Sequence, residues 1–125
     1  MKRVLLVEDD PLLIDLYRER FAEEDWQLSV ATDGRQALKM VDDSVDLVLL
    51  DILLPELNGF EVLRALKHLP DTKDVPVIVL TNLGSEQSDK DKQLALSLGA
   101  IDYLVKSHHT PDELAEVVNR HLEPA

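Results

Sequence analysis

Two kinds of segment alternate along the chain. Short apolar runs carry no polar position, and longer segments place apolar residues three or four apart. Val4, Leu5, Leu6 and Val7 form the first run; without alternation it predicts a strand buried on both faces. Asp10-Pro11 follows as N-cap and first helical position, and Leu13, Tyr17 and Phe21 at i, i+4, i+8 predict a helix over about 11–23. A weaker strand, Gln27 to Ala31, breaks at Thr32-Asp33-Gly34, and Ala37, Leu38 and Val41 mark a second helix. Asp46 to Leu50 is a third strand ending on Asp51.

Asn58 with Glu61 three residues on has the form of a capping box, opening a helix through Phe60, Leu63 and Leu66 that Pro70 stops. Val75 to Leu80 is a fourth strand ending on Thr81. A polar stretch from Asn82 to Ser88 leads into a helix through Leu94 and Leu98, ended by Gly99. Ile101 to Val105 is the fifth strand, ending on Lys106. Thr110-Pro111-Asp112-Glu113 carries cap, early proline and capping-box glutamate, and Leu114, Val117, Val118 and Leu122 give the last helix its core face.

Five strand–helix units with short loops predict an α/β fold with a parallel sheet covered on both faces. Five are too few for an eight-stranded barrel. An open, doubly wound sheet is left, most simply in the order 2-1-3-4-5. Right-handed crossovers then put the first and fifth helices on one face and the other three opposite.

Sites in such sheets form outside the carboxyl ends of the strands. Those ends read Glu8-Asp9, Asp51, Thr81 and Lys106. Neighbouring strands lie about 4.8 Å apart. Asp51 is therefore expected beside Glu8 and Asp9 on one side and Thr81 on the other, with Lys106 reaching in from two strands away. Three crowded carboxylates resist ionising without compensation. A hard cation such as Mg²⁺ supplies it, with few protein ligands and room for phosphate oxygens. The set suits phosphoryl transfer onto Asp51, helped by the metal, the Lys106 ammonium and the Thr81 hydroxyl.

Each residue also has a plainer reading. Asp51 can be a turn residue, Thr81 a β-branched strand residue, Lys106 a solvated end charge and Tyr103 core. Asp10, before Pro11, reads as a helix cap rather than a site residue. His108-His109 reads as loop, His68 and His121 as helix-end or surface residues, and Trp26 as a cover for the end of the first helix.

Composition narrows the partners. The 125 residues hold 13 Lys+Arg against 25 Asp+Glu, a net charge of −12. That disfavours direct nucleic-acid or anionic membrane binding. With no cysteine, disulfides, thiolate metal sites and thiol nucleophiles are excluded. No apolar run reaches membrane-span length, and the four-residue run near the N-terminus is too short for a signal peptide, so a cytoplasmic protein is expected.

Four motifs together resemble the receiver domain of two-component response regulators, across essentially the whole chain. They are Leu5 to Asp10, Asp51 to Gly59, Thr81, and Tyr103 to Lys106. The resemblance implies a stand-alone, chemotaxis-regulator-like arrangement: residues 1–125 as one receiver domain without an output domain, in the flavodoxin-like order 2-1-3-4-5. The chain is expected to be either such a stand-alone receiver or an excised piece of a larger regulator. The resemblance implies Asp51 as phosphoacceptor. Asp9, Asp51 and the Leu53 carbonyl are implied as ligands of Mg²⁺ (or Mn²⁺), with Glu8 acting through water. Thr81 and Lys106 would sense the phosphoryl group, and Tyr103 would be the aromatic switch. The implied donor is a sensor histidine kinase or histidine phosphotransfer protein. The face of helix 4, strand 5 and helix 5 would carry the output, to a downstream protein or a second copy. Chemistry would be self-catalysed transfer and autodephosphorylation, without classical turnover. Ser107 stands where the family commonly has proline, Asn82 where a small residue is usual, and Leu53 at a position that tunes phosphoryl lifetime.

Three other functions compete with this reading. An aspartyl-nucleophile phosphatase usually needs a second Asp two residues after the nucleophile, where Leu53 stands. A flavin binder needs a Ser/Thr/Gly-rich first loop rather than Glu8-Asp9-Asp10. A receiver-like docking module that is never phosphorylated remains the alternative.

Overall fold

The computed structural model describes residues 1–82 and 88–123. Most of the polar stretch expected between Asn82 and Ser88, and the last two residues, lie outside the described residues. Five strands alternate with five helices in chain order: β1 (Lys2–Val7), α1 (Pro11–Phe21), β2 (Trp26–Ala31), α2 (Gly34–Met40), β3 (Leu47–Asp51), α3 (Gly59–His68), β4 (Val77–Thr81), α4 (Ser88–Ser97), β5 (Asp102–Val105) and α5 (Pro111–Leu122). All strand pairs are parallel and the order is β2-β1-β3-β4-β5.

The central strands read as near-continuous apolar runs because both faces are covered. On one face Leu5, Val7, Val48, Leu50, Val77 and Val79 pack with Ala37, Val62, Leu63, Leu66 and Ala95 of α2, α3 and α4. On the other, Val4, Leu6, Leu47, Leu49, Ile78 and Leu80 pack with Tyr17, Phe21, Leu114 and Val118 of α1 and α5. The expected division of helices is therefore observed. Trp26 closes one end of the second layer: its ring centroid lies 5.1 Å from that of Phe21, and its indole N–H donates to Asn119 Oδ1 at 2.9 Å.

Helix ends follow their local chemistry. Asp10 caps α1 by accepting from the Leu12 N–H, and both halves of the Thr110–Glu113 capping box form. Asn58 accepts from the Glu61 N–H at 3.0 Å, but no return bond from the Glu61 carboxylate is found among the described hydrogen bonds. Strand β4 starts two residues later than expected. Pro76 has no N–H to add to the ladder, although its carbonyl still receives the Val48 N–H at 2.9 Å. Helix α1 ends at Phe21 rather than near residue 23, with Ala22 as its cap.

Helix α4 departs furthest from its periodicity. Leu94 and Leu98 were its expected apolar positions, yet Leu94 is 41% exposed and Ala95 is the residue fully buried. Asp91 and Leu98, four before and three after Ala95, are half-buried. The helix is turned so that its smallest apolar side chain meets the sheet.

Candidate functional site

Register and sheet order deliver the strand tips to one edge. Val7 pairs with Leu50, Asp51 with Leu80, and Thr81 with Val105, so Glu8, Asp51, Thr81 and Lys106 leave adjacent strands at the same level. Glu8, Asp51 and Thr81 are all buried, at 1%, 3% and 0% exposure, while Asp9 is exposed. Carboxylate oxygens of Glu8, Asp9 and Asp51 lie within 4.8 Å of one another.

Lys106 closes the group. Its ammonium donates to Glu8 Oε1 and, at 3.1 Å, to Asp51 Oδ2. Reaching in from two strands away, it places its charge between two buried carboxylates. The other Glu8 oxygen accepts from the backbone N–H groups of Asp9 and Asp10, at 3.1 and 3.2 Å. Both oxygens of Glu8 are thus engaged, whereas Asp9 projects from the loop. Asp51 Oδ1 accepts from the Leu53 N–H at 3.1 Å, and the Leu53 side chain is 51% exposed.

Electrostatics follow from this crowding. Burial pushes the Asp51 carboxyl up to about 6; Lys106 opposes the rise and Glu8 adds to it. Burial pulls the Lys106 ammonium down, but the Glu8 and Asp51 carboxylates outweigh that and leave its pKa raised. The cluster is a cation wedged between acids that would otherwise repel, and the acids outnumber it. A divalent cation fits such an oxygen-rich donor set, completing its shell with water or phosphate oxygens.

Tyr103 is buried at 7% exposure in the α2/α3/α4 layer. Burial raises its phenol pKa, and the Thr81 side chain partly offsets the rise. The chain after Lys106 turns through a short 3₁₀ segment, Lys106–His108, and no cis peptide occurs among the described residues. His108 and His109 lie in and just after this turn, as expected of loop residues. His68 bonds the Arg64 carbonyl through Nδ1 at 2.7 Å, and His121 lies 3.5 Å from Asp102.

Two residues matter to the site that the sequence did not single out for it. Gly59 packs so closely behind the acceptor that an added Cβ would lie 2.5 Å from the Asp51 carbonyl oxygen. Tyr17, read as core on helix periodicity, has its phenol pKa raised by burial, with the charges of Lys106, Glu8 and Asp51 all acting on it. A helical side chain leans toward its helix N-terminus, and α1 begins at the edge where those charges meet. Gly59 has two sequence signals: it follows the predicted cap Asn58 directly, and it ends the Asp51 to Gly59 motif.

Comparison with known proteins gives one consistent answer. The family model of the response regulator receiver domain matches residues 4–119. The transcriptional regulatory protein CpxR of Escherichia coli (strain K12) is 44% identical over 117 residues, 94% of this chain and 48% of that protein. The chain therefore spans about half the length of the curated relative. Among solved structures, the CheY-like receiver domain protein from Methanospirillum hungatei JF-1 superposes with a TM-score of 0.85 at 26% identity, covering 98% of this chain and 94% of that one. The receiver domain of the sensor histidine kinase PA1611 from Pseudomonas aeruginosa PAO1, solved with magnesium coordinated in its active-site cleft, gives a TM-score of 0.81 at 27% identity and covers 97% of each chain.

Proposed function

Because the chain belongs to the response regulator receiver domains, we propose that it is a phosphorylation-dependent signalling switch whose acceptor is Asp51. The observation carrying this reading is the convergence of three carboxylates within 4.8 Å beside a buried ammonium. A carboxylate oxygen of Asp51 attacks the phosphorus of a phosphohistidine. The P–N bond breaks, its electron pair leaves with the imidazole, and an acyl phosphate remains. Attack by water on that phosphorus later releases inorganic phosphate and restores the carboxylate.

Asp9, Asp51 and the Leu53 carbonyl are assigned as residues that would hold Mg²⁺ or Mn²⁺, with Glu8 acting through water. The ion supplies charge neutralisation for the transferring group. Magnesium in the cleft of the PA1611 receiver domain supports this assignment. Lys106 exchanges its carboxylate contacts for phosphoryl oxygens, and Thr81 donates its hydroxyl to one of them. Tyr103, packed inward next to Thr81, responds to that movement as the aromatic switch.

The donor in this reading is a sensor histidine kinase or a histidine phosphotransfer protein, and the setting is the cytoplasm. Among the described residues no helix is long and apolar enough to cross a membrane. Residues 1–125 are read as one receiver domain. Output passes through α4, β5 and α5, a face with exposed Leu96 and Ile101, to a downstream protein or a second copy. Direct binding to nucleic acid or a membrane is no part of this reading.

The test is incubation with acetyl phosphate, with and without Mg²⁺, read by intact mass beside Asp51→Asn. A gain of one phosphoryl group that needs both Mg²⁺ and Asp51 is expected. No gain with this donor or a histidine kinase would support the docking-module alternative instead.

A further inference from the structure

A second concave site lies between α3 and α4, away from the acid cluster. It has a volume of about 610 Å³, and its walls include Leu57, Phe60, Leu94 and Leu98, with Arg64 and His68 along α3. None of Glu8, Asp9, Asp51 or Lys106 lines it. The volume falls in the range of small-molecule sites, roughly 300–1,000 Å³, and so does the composition: mostly apolar with a few polar groups.

Two features specify its occupant. The first is charge. On a chain of net charge −12, the groove presents an exposed guanidinium. No carboxylate pairs with Arg64 among the described residues, although Glu61 also lines the groove. His68 directs Nδ1 to the Arg64 carbonyl at 2.7 Å, which leaves Nε2 for a ligand. The second is the shallow seating of α4. Ala95 is its buried apolar residue, while Leu94 stays 41% exposed and Leu98 half-buried. Apolar matter between α3 and Leu94 would bury surface that the helix leaves wet.

We propose that this groove binds a small amphiphilic organic anion, its apolar body between Phe60, Leu57 and the α4 leucines and its acidic group on Arg64. A purely apolar ligand leaves the guanidinium unused. A purely ionic one leaves the leucines wet and faces Glu61. The proposal is independent of the phosphoryl chemistry, and so is its test.

The probe is 1-anilinonaphthalene-8-sulfonate, titrated into the chain and followed by amide chemical shifts in ¹H–¹⁵N spectra. Shifts are expected around Leu57, Phe60, Arg64, Leu94 and Leu98. Arg64→Gln should weaken binding about tenfold, the loss of one charge-assisted contact. The uncharged N-phenyl-1-naphthylamine should bind this variant as it binds the original chain. Leu94→Ser should weaken both probes. These two side chains are exposed, so both variants should keep the thermal midpoint of the parent. Shifts centred elsewhere, or equal sulfonate affinity with and without Arg64, would overturn the proposal.

Discussion

The ammonium of Lys106 stands 3.1 Å from Asp51 Oδ2, and its side chain is only 5% exposed. The proposed acceptor is therefore held by its own protein's cation before any substrate arrives. Replacing Lys106 with Met leaves two buried carboxylates facing each other. Removing one partner of a buried ion pair costs about 3–5 kcal/mol. We expect a loss near the lower figure at pH 7.5 in chelator, shrinking at pH 5 where Asp51 takes up a proton. Urea denaturation at the two pH values measures it; equal losses would show that the ammonium does not neutralise Asp51.

The raised Asp51 pKa predicts the effect of neutralising that side chain. From an ordinary value of 3.8, burial lifts it to about 6. The folded state then holds the proton more tightly than the unfolded state, so stability falls as pH rises from about 4 to 6. With about 1.4 kcal/mol per unit, the ionised carboxylate costs up to roughly 3 kcal/mol at neutral pH. Asp51→Asn should stabilise the metal-free protein by about 1–3 kcal/mol at pH 7.5 and by little at pH 4. Denaturation curves at both pH values check the sign.

Metal affinity should carry the same proton linkage. Ligand carboxylates must be ionised, so Mg²⁺ binding should be steady above about pH 7 and weaken through pH 6, approaching tenfold per unit below the Asp51 pKa. Asp9→Asn should weaken it by about tenfold or more without destabilising the fold, because Asp9 is exposed. Titration calorimetry at pH 8, 6.5 and 5.5 gives both answers.

Gly59 supplies a backbone test. A Cβ there would sit 2.5 Å from the Asp51 carbonyl oxygen and 2.6 Å from the Ile52 Cα, and both are main-chain atoms that cannot turn aside. Gly59→Ala should destabilise by about 2–4 kcal/mol, in the range of core overpacking. It should also slow acetyl phosphate uptake by shifting Asp51. A thermal melt paired with the uptake rate separates it from Gly99→Ala, where a Cβ meets the flexible Lys67 side chain and the cost is the positive φ of 109°.

Much of the site could be read before folding because its polar residues directly follow unbroken apolar runs. Asp51, Thr81 and Lys106 each end or follow a strand, and the sheet order alone brings those tips together. What resisted reading depends on rotation and depth. Tyr17 fits an apolar helix stripe, and nothing in that stripe reveals that its hydroxyl end lies in the field of Lys106, Glu8 and Asp51. The glycine at 59 is visible, but the main chain it meets is supplied by the fold. Helix α4 misled the periodicity because two leucines outweigh one alanine in any count, whereas the sheet admits the smaller residue.

The Lys106–Glu8 bridge also bears on how the protein is made. Its partners are 98 residues apart, so every strand from β1 to β5 must be made before the pair can close. An edge made of β1 and β3 alone would bring Glu8 and Asp51 together with no cation between them. That half-built edge is electrostatically frustrated until β5 docks. The last strand thus delivers charge as well as hydrogen bonds, and a chain cut short before Lys106 would carry two acids that its own core rejects.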